Sequence, residues 1–250
     1  QLLANAIYFP NDHILNLSRE LKLLSIPGSV LNAEELQLIR KLAESMEKLF
    51  RWFDAERREA YPALTKVISQ TYYEKLIAEL ISEVLDEYGQ IRDNASEDLK
   101  NIRMSLFRKR NELRRLFEKI VAKLNKQGFL AEIEESFMSG RRVLAVLAEQ
   151  KRTVKGILHG ESDSRKTAFV EPEETIELNN VISDLERSEQ KEIYRILREL
   201  TGKLALYATI LQDWHTVVGE YDFIRAKAKL AIEIKAEYPT VSDKAGINLI

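Results

Sequence analysis

Cysteine is absent from the 250 residues, which removes disulfides and thiolate metal sites and fits a reducing, cytoplasmic setting. Glycine (nine) and proline (five) are scarce beside abundant Leu, Glu, Lys, Arg and Ala, and such a composition favours helix. No apolar run approaches the roughly 18 residues of a membrane span, so no membrane contact is expected. No signal peptide is visible. The three histidines, His13, His159 and His215, are far apart and form no His-x-x-x-His pair, so a metal site is not expected. No glycine-rich phosphate loop occurs. Gly202-Lys203 sits inside a helical pattern, without the turn that presents backbone N–H groups to a phosphate. Acidic pairs such as Glu134-Glu135 and Glu173-Glu174 read as solvated surface, not as an acid/base pair. With a net charge of −2, the chain as a whole is no basic nucleic-acid binder, and any such role must sit on a local patch.

What is present is helical periodicity. Asn11 or Asp12 is placed to cap a helix bearing Ile14, Leu17, Leu21 and Leu24, which Pro27-Gly28 breaks. Asn32 with Glu35 predicts a capping box for a helix carrying Leu36, Ile39, Leu42, Met46, Leu49, Phe50 and Phe53. Pro62 opens another segment. Leu76, Ile77, Leu80, Ile81, Val84 and Leu85 mark an amphipathic helix ended by Gly89. Asn94 with Glu97 repeats the cap logic before a helix to about Gln127, some 48 Å long at 1.5 Å per residue. Its apolar positions, Leu99, Ile102, Leu106, Leu113, Phe117, Ile120 and Leu124, form a narrow stripe that calls for one partner helix.

After Gly128 the pattern changes. Val143 to Ala148, Val154 to His159 and Thr167 to Val170 are short apolar runs, separated by polar turns at Gln150 to Thr153 and Gly160 to Lys166. They predict a small antiparallel sheet, which needs support from helices or a partner. Pro172 suits a first helical turn. From Ile193 the apolar steps alternate three and four through Leu197, Leu200, Leu204, Tyr207, Leu211, Trp214, Val218 and Tyr221. That is a coiled-coil seam which Gly202 could bend and Tyr238-Pro239 stops. The expected fold is mainly α: a helical hub, long antiparallel coiled-coil-like lever helices and a small antiparallel β tip. Its parts are a helical core (1–93), an outgoing lever helix (94–127), the tip (128–172) and a returning lever helix with more core (173–238). The outgoing helix should pack antiparallel to the returning one around Leu178 to Leu200.

Two clusters of positive charge stand out. From Asn101 to Lys126 there are nine Lys or Arg and two Glu. This is either a solvated coiled-coil face or a phosphate-facing rail, with Arg108, Arg110, Arg114 and Arg115 as its candidate contacts. From Arg141 to Glu171 the tip holds Arg141, Arg142, Lys151, Arg152, Lys155, Arg165 and Lys166 against four acidic residues. Several of these lie in turns, from which side chains reach outward. Aromatics that could stack on bases are few in the tip, with Phe137 and Phe169 the candidates, so stacking on single-stranded bases is not favoured.

The tip carries a specific pattern: Gly140-Arg141-Arg142-Val143-Leu144-Ala145-Val146, Gly156-Ile157-Leu158-His159, Ser162-Asp163-Ser164-Arg165-Lys166-Thr167-Ala168-Phe169-Val170-Glu171-Pro172 and Leu178-Asn179-Asn180. It resembles the clamp region of the bacterial MutS paralogues, the MutS branch that lacks mismatch-reading domains and usually ends in a Smr nuclease domain. Ile91-Arg92-Asp93-Asn94-Ala95-Ser96 resembles the segment that opens that family's lever. Three positions depart from the pattern. Ala145 stands where the family commonly has proline, Gly160 where it often has aspartate, and Arg165 where it usually has glycine. The last bears on the conformation of the Ser164 to Lys166 turn and adds a positive charge there.

The resemblance implies a homodimeric ATPase whose paired levers and clamps embrace a nucleic-acid or ribonucleoprotein target, either branched or double-stranded DNA or the ribosome. It further implies suppression of recombination or rescue of stalled ribosomes. The chain would be the core, lever and clamp. Gln1 without a preceding Met, and the apolar Ile247-Asn248-Leu249-Ile250, fit a piece of a longer protein. Residues 239–250 would then lead to an ATPase domain using ATP and Mg, with an endonuclease domain beyond it. No cofactor and no catalytic residue is expected in the chain itself. The competing reading is a structural coiled-coil module that dimerises or transmits motion without touching nucleic acid.

Overall fold

The computed structural model describes residues 3, 7–10 and 16–236, apart from the side chains of Glu132 and Ile133. The elements run α1 (Ser18–Leu24), α2 (Ala33–Trp52), α3 (Ala55–Ala60), α4 (Pro62–Ile68), α5 (Lys75–Val84), α6 (Glu97–Lys126), β1 (Leu130–Met138), β2 (Arg141–Leu147), β3 (Gly156–Glu161), β4 (Thr167–Pro172), α7 (Ile176–Ala205) and α8 (Ala208–Glu233). The fold is mainly helical with one small antiparallel sheet. The chain divides into two compact units, Gln1–Gln90 with Leu197–Ile250, and Ile91–Ile196, so α7 contributes residues to each. Among the described residues no helix is long and apolar enough to cross a membrane.

The first unit is all helical. The capping box opens α2: Asn32 Oδ1 accepts from the Glu35 N–H at 2.9 Å, and the Glu35 carboxylate accepts from the Asn32 N–H at 2.9 Å. Leu36, Ile39, Leu42, Met46 and Leu49 then return at three- and four-residue steps, and all are buried. Pro62 takes the first position of α4, where a missing N–H leaves nothing unpaired. Gly89 does not end α5. That helix closes at Val84, and Gly89 follows in a turn at φ +81°, its N–H donating to the Asp86 carbonyl. The buried Arg40 fastens this turn to α2 by donating to the carbonyls of Asp86 (2.6 Å) and Glu87 (3.1 Å). The caps expected at Asn11 or Asp12, and the stop at Tyr238-Pro239, lie outside the described residues.

The regular seam from Ile193 to Tyr221 predicts one helix, but the chain breaks at Leu206 and Tyr207, between α7 and α8. Gly202, the residue expected to bend the seam, lies inside α7, four residues before the break. The N–H groups of Leu206 and Tyr207 close tight turns onto the carbonyls of Lys203 (3.4 Å) and Leu204 (2.9 Å). Leu200, Leu204, Leu211, Trp214, Val218 and Tyr221 all stay buried across the break. Because α8 packs against α1, α2 and α4, the seam serves a multi-helix core in place of a single coiled-coil partner. Buried polar tips find partners: Trp214 Nε1–H donates to the Tyr72 carbonyl (2.8 Å), and the Tyr221 hydroxyl donates to that of Leu64 (2.8 Å). Burial pushes the Tyr221 hydroxyl pKa well up.

In the second unit Ser96, not Asn94, caps α6. Its Oγ accepts from the Leu99 N–H at 3.0 Å and donates to Glu192 of α7 at 2.6 Å. The Arg195 side chain, with help from Ser96, holds Glu192 at a pKa of about 2 against the opposing effect of burial. Arg103 binds Glu189 (2.7 Å), the Ile91 carbonyl (3.0 Å) and Asp93, which pins the segment leading into α6. Arg110 pairs with Glu186 at 2.6 Å. Partner numbers fall along α7 as they rise along α6, so the two helices run antiparallel. The apolar stripe of α6 is shared, however. Leu106, Leu113, Phe117 and Leu124 pack with Ile182 of α7 and also with Leu144, Val146, Ala168 and Val170 of the sheet.

The strand order is β1-β2-β4-β3, with every neighbouring pair antiparallel. The first strand has no counterpart in the apolar runs, because a register shift between Leu130 and Glu135 interrupts its alternation. Val154 is not in a strand. It is a buried anchor in the loop before β3. Pro172 ends β4 opposite Gly156 and does not open a helix; a 3-10 turn, Glu173–Thr175, precedes α7.

Candidate nucleic-acid interface

The sheet unit is organised around one buried carboxylate. Glu171 is 0% exposed and reaches three side chains from three elements. Arg141 Nη1 of β2 donates at 2.8 Å, Asn179 Nδ2 of α7 at 2.9 Å, and His159 Nε2 of β3 lies at 2.7 Å. Burial raises the pKa of Glu171, but the hydrogen bonds from His159, Asn179 and Arg141 together outweigh it and hold the carboxyl below its usual range. Arg141 also donates to Asn180 Oδ1 at 2.6 Å. Backbone packing is equally close here. A Cβ on Gly156, at φ +156°, would lie 2.0 Å from the Glu171 carbonyl oxygen.

The cations proposed from the sequence fall into different settings. Arg141 is engaged with Glu171 and Asn180. Arg142 forks onto Glu135 (2.8 and 2.9 Å) and lies 4.8 Å from the centre of the Phe117 ring. Lys151 is bound to Glu161. By contrast Arg152, Lys155, Arg165 and Lys166 are exposed, and no ion pair holds any of them among the described residues. On α6, Arg110 pairs with Glu186 and Arg114 donates to Asn111 Oδ1 at 3.1 Å, whereas Arg108 and Arg115 are exposed and make no ion pair among the described residues.

Register shows which of these sit together. Leu147 of β2 is opposite Thr167 of β4, and the Ala148 N–H donates to the Lys166 carbonyl at 3.0 Å. Lys151, Arg165 and Lys166 therefore share one end of the sheet. Arg141, Arg142 and Lys155 belong to the other end, near Pro172. The chain reaches the Lys166 end directly from α6, since the Phe129 carbonyl accepts from the Leu147 N–H at 2.9 Å.

The turn from β3 to β4 presents two of the free cations. The Arg165 N–H donates to the Ser162 carbonyl (2.8 Å), the Ser162 N–H to that of Thr167 (2.8 Å), and the Thr167 N–H to Ser162 Oγ (3.2 Å). Arg165 holds φ +57°, the left-handed conformation that glycine adopts without strain. It thus takes up the backbone its usual glycine counterpart would favour, while placing a charge at the turn.

Three cations were not among the candidates read from the sequence. Lys119, Lys123 and Lys126 are exposed, free of ion pairs among the described residues, and on the same side of α6 as Arg108 and Arg115. Counting about 100° per residue from the buried Leu106 finds them. No group of three or more His, Asp or Glu that could hold a metal ion occurs among the described residues.

No protein-family model matches the chain. Curated relatives do. The chain is similar to the Endonuclease MutS2 of Geobacillus sp. (strain WCH70), 32% identical over 250 residues that cover 97% of the chain and 31% of that protein. It is similar to the Endonuclease MutS2 of Halothermothrix orenii, 30% identical over 229 residues, 89% of the chain and 29% of that protein. The Endonuclease MutS2 of Listeria welshimeri is 32% identical over 242 residues, 96% of the chain and 31% of that protein. The chain thus spans about a third of the length of the curated relatives it matches.

Proposed function

Because the chain belongs to the MutS2 family of bacterial MutS paralogues, we propose that it is the non-catalytic core, lever and clamp of a nucleic-acid-clamping ATPase. In this reading the sheet is the clamp and α6 with α7 is the lever. The whole protein works as a cytoplasmic homodimer, with ATP and Mg bound and nucleolytic cleavage carried out outside this segment. Its target is DNA, branched or double-stranded, or the RNA of a ribosome.

The observation that carries the reading is the sorting of cations in the sheet unit. Arg141, Arg142 and Lys151 hold the unit together, whereas Arg152, Lys155, Arg165 and Lys166 are exposed and make no ion pair among the described residues. Charges left free on a chain that is slightly acidic overall favour a phosphate-bearing partner. Replacing Arg152, Lys155 and Lys166 together by Ala, and titrating duplex DNA, a four-way junction and ribosomes at two salt concentrations, tests it. Binding should weaken and its salt dependence should flatten. Unchanged binding by the triple variant would remove the clamp from the contact.

A second reading, a module that only dimerises or transmits motion, draws on the exposed Phe223, Leu230, Ile232 and Ile234 of α8 and the turn after it. It requires that no salt-sensitive binding be found.

A further inference from the structure

We propose that the outward face of α6 is a track for the phosphate backbone of double-helical DNA, running from Arg108 to Lys126. The inference rests on the clamp reading and adds a second contact surface to it. With Leu106, Leu113, Phe117 and Leu124 marking the buried side of α6, the helical repeat puts Arg108, Arg115, Lys119, Lys123 and Lys126 on the opposite side, within an arc of about 80°. All five are exposed, and none makes an ion pair among the described residues. Of the other α6 cations, Lys100 pairs with Glu97, Arg103 with Glu189 and Asp93, Lys109 with Glu112 and Arg110 with Glu186, while Arg114, outside the arc, donates to the neutral Asn111 side chain. Glu112 is the one acid of this stretch that falls within the arc, and Lys109 on the flank neutralises it. The outward face therefore carries five cations without ion pairs, and most of the cations on the other faces are paired.

This arrangement works against the isolated helix. Arg115 with Lys119, and Lys119 with Lys123, are like charges four residues apart, which repel on a helix surface. The helix dipole favours cations in the last turn, which accounts for Lys123 and Lys126. It does not reach Arg108, Arg115 or Lys119, which lie further back. A polyanion laid along the face relieves the repulsion among Arg115, Lys119 and Lys123.

From Arg108 to Lys126 the track is about 27 Å long at 1.5 Å per residue. That spans about eight base pairs of duplex at 3.4 Å of axis each. Its far end meets the other free cations, because the chain passes from Lys126 through Phe129 to the strand end where Lys166 and Arg165 project. A duplex contacting the β3–β4 turn is thereby placed to follow α6. No aromatic lies on the basic stretch of this face, so charge and not base stacking supplies the attraction. B-form DNA is the occupant that suits a straight helix face, because its wide major groove lets long side chains reach phosphates along its rims. The A-form major groove is too deep and narrow for that.

The test neutralises the face without touching the core, as Arg115→Gln, Lys119→Gln and Lys123→Gln together in the full chain; glutamine retains good helix propensity. The probe is a mixed-sequence DNA duplex about three times the length of the track, with a double-stranded RNA of the same sequence as a second arm. Affinity is measured across a salt series, and helicity is checked by circular dichroism. The expected result is weaker DNA binding at unchanged helicity. The salt slope should fall by about 0.9 for each phosphate no longer neutralised, up to about 2.7 for three. If this variant binds DNA like the unaltered chain while the Arg152, Lys155 and Lys166 triple loses affinity, the track is refuted and the clamp reading stands. If RNA binding falls and DNA binding does not, the choice of DNA is refuted. If the unaltered chain binds no duplex, junction or ribosome, the clamp reading fails and the track falls with it.

Discussion

Replacing Arg165 by glycine should move stability and binding in opposite directions. The residue sits at φ +57° in the β3–β4 turn, with its N–H donating to Ser162. An L-residue in the left-handed region carries roughly 1–2 kcal/mol of strain, which glycine does not. Glycine loses more backbone freedom on folding, an opposing effect of about 0.5–1 kcal/mol. The side chain is exposed and makes no ion pair among the described residues, so its removal subtracts little. The balance is a gain of about 0.5–1 kcal/mol, or a rise of about 1–4 °C in Tm for a chain of this size. The same change removes a cation from the proposed clamp, which should weaken duplex binding and lower its salt slope by about 0.9. Thermal melts and salt-series titrations read the two effects separately. Arg165→Ala is the control: it keeps the strain and loses the charge, so binding should fall without any gain in stability. A lower Tm for the glycine variant would refute the backbone argument. A raised Tm with unchanged binding would remove Arg165 from the interface.

Other outcomes follow from the buried parts of the sheet unit. Glu171→Gln should cost about 3–5 kcal/mol, because Arg141 would be left facing an uncharged amide in a buried site; denaturant melts measure it. Acid should act through the same group. A carboxyl whose folded pKa is lowered adds stability above its unfolded value and loses it as pH falls through the folded one. The contribution of Glu192 should therefore fade from about pH 4.5 toward about 2, and that of Glu171 as the pH falls below the ordinary carboxylate range, so Glu171→Gln should show a shallower acid limb. Gly156→Ala should disrupt the β3–β4 pairing outright, since a Cβ there would stand 2.0 Å from a backbone oxygen; a soluble variant with unaltered amide protection in both strands would contradict this. Phe117→Ala should cost about 3–5 kcal/mol in denaturant melts, as it empties a fully buried site shared by α6 and the sheet and strips Arg142 of its ring.

Helices whose signals are local were legible in the sequence. The Asn32 capping box, Pro62 and the periodic leucines of α2 each depend on residues a turn or two apart, and the structure uses each of them. Non-local features were not. Gly202 hints at a bend, but the break itself at Leu206 and Tyr207 is not announced, because the apolar spacing continues across it and the packing partners, α1, α2 and α4, lie far away in sequence. Ser96 displaced Asn94 as the cap because it also reaches Glu192, a residue 96 positions on. The strand β1 was hidden by its own register shift, which breaks the alternation that identifies a strand.

The candidate site divides along the same line. Charge density is a one-dimensional quantity, and it directs attention to α6 and to the sheet's turns. Availability of a charge is not one-dimensional. Arg141 and Arg165 stand in equally basic surroundings in the sequence. One is closed onto a buried glutamate from another strand, and the other is held outward by a left-handed turn. Arg110 and Arg115, five residues apart on one helix, differ in the same way because only the first faces Glu186. A cation's partner is set by which face it shares with distant acids, so sequence ranks regions while pairing ranks residues. The residues worth altering first are therefore those without an ion pair, Arg152, Lys155, Arg165 and Lys166 at the sheet and Arg108, Arg115 and Lys119 on α6, since only a charge that is free in the chain can neutralise a phosphate without first breaking a bond within the fold.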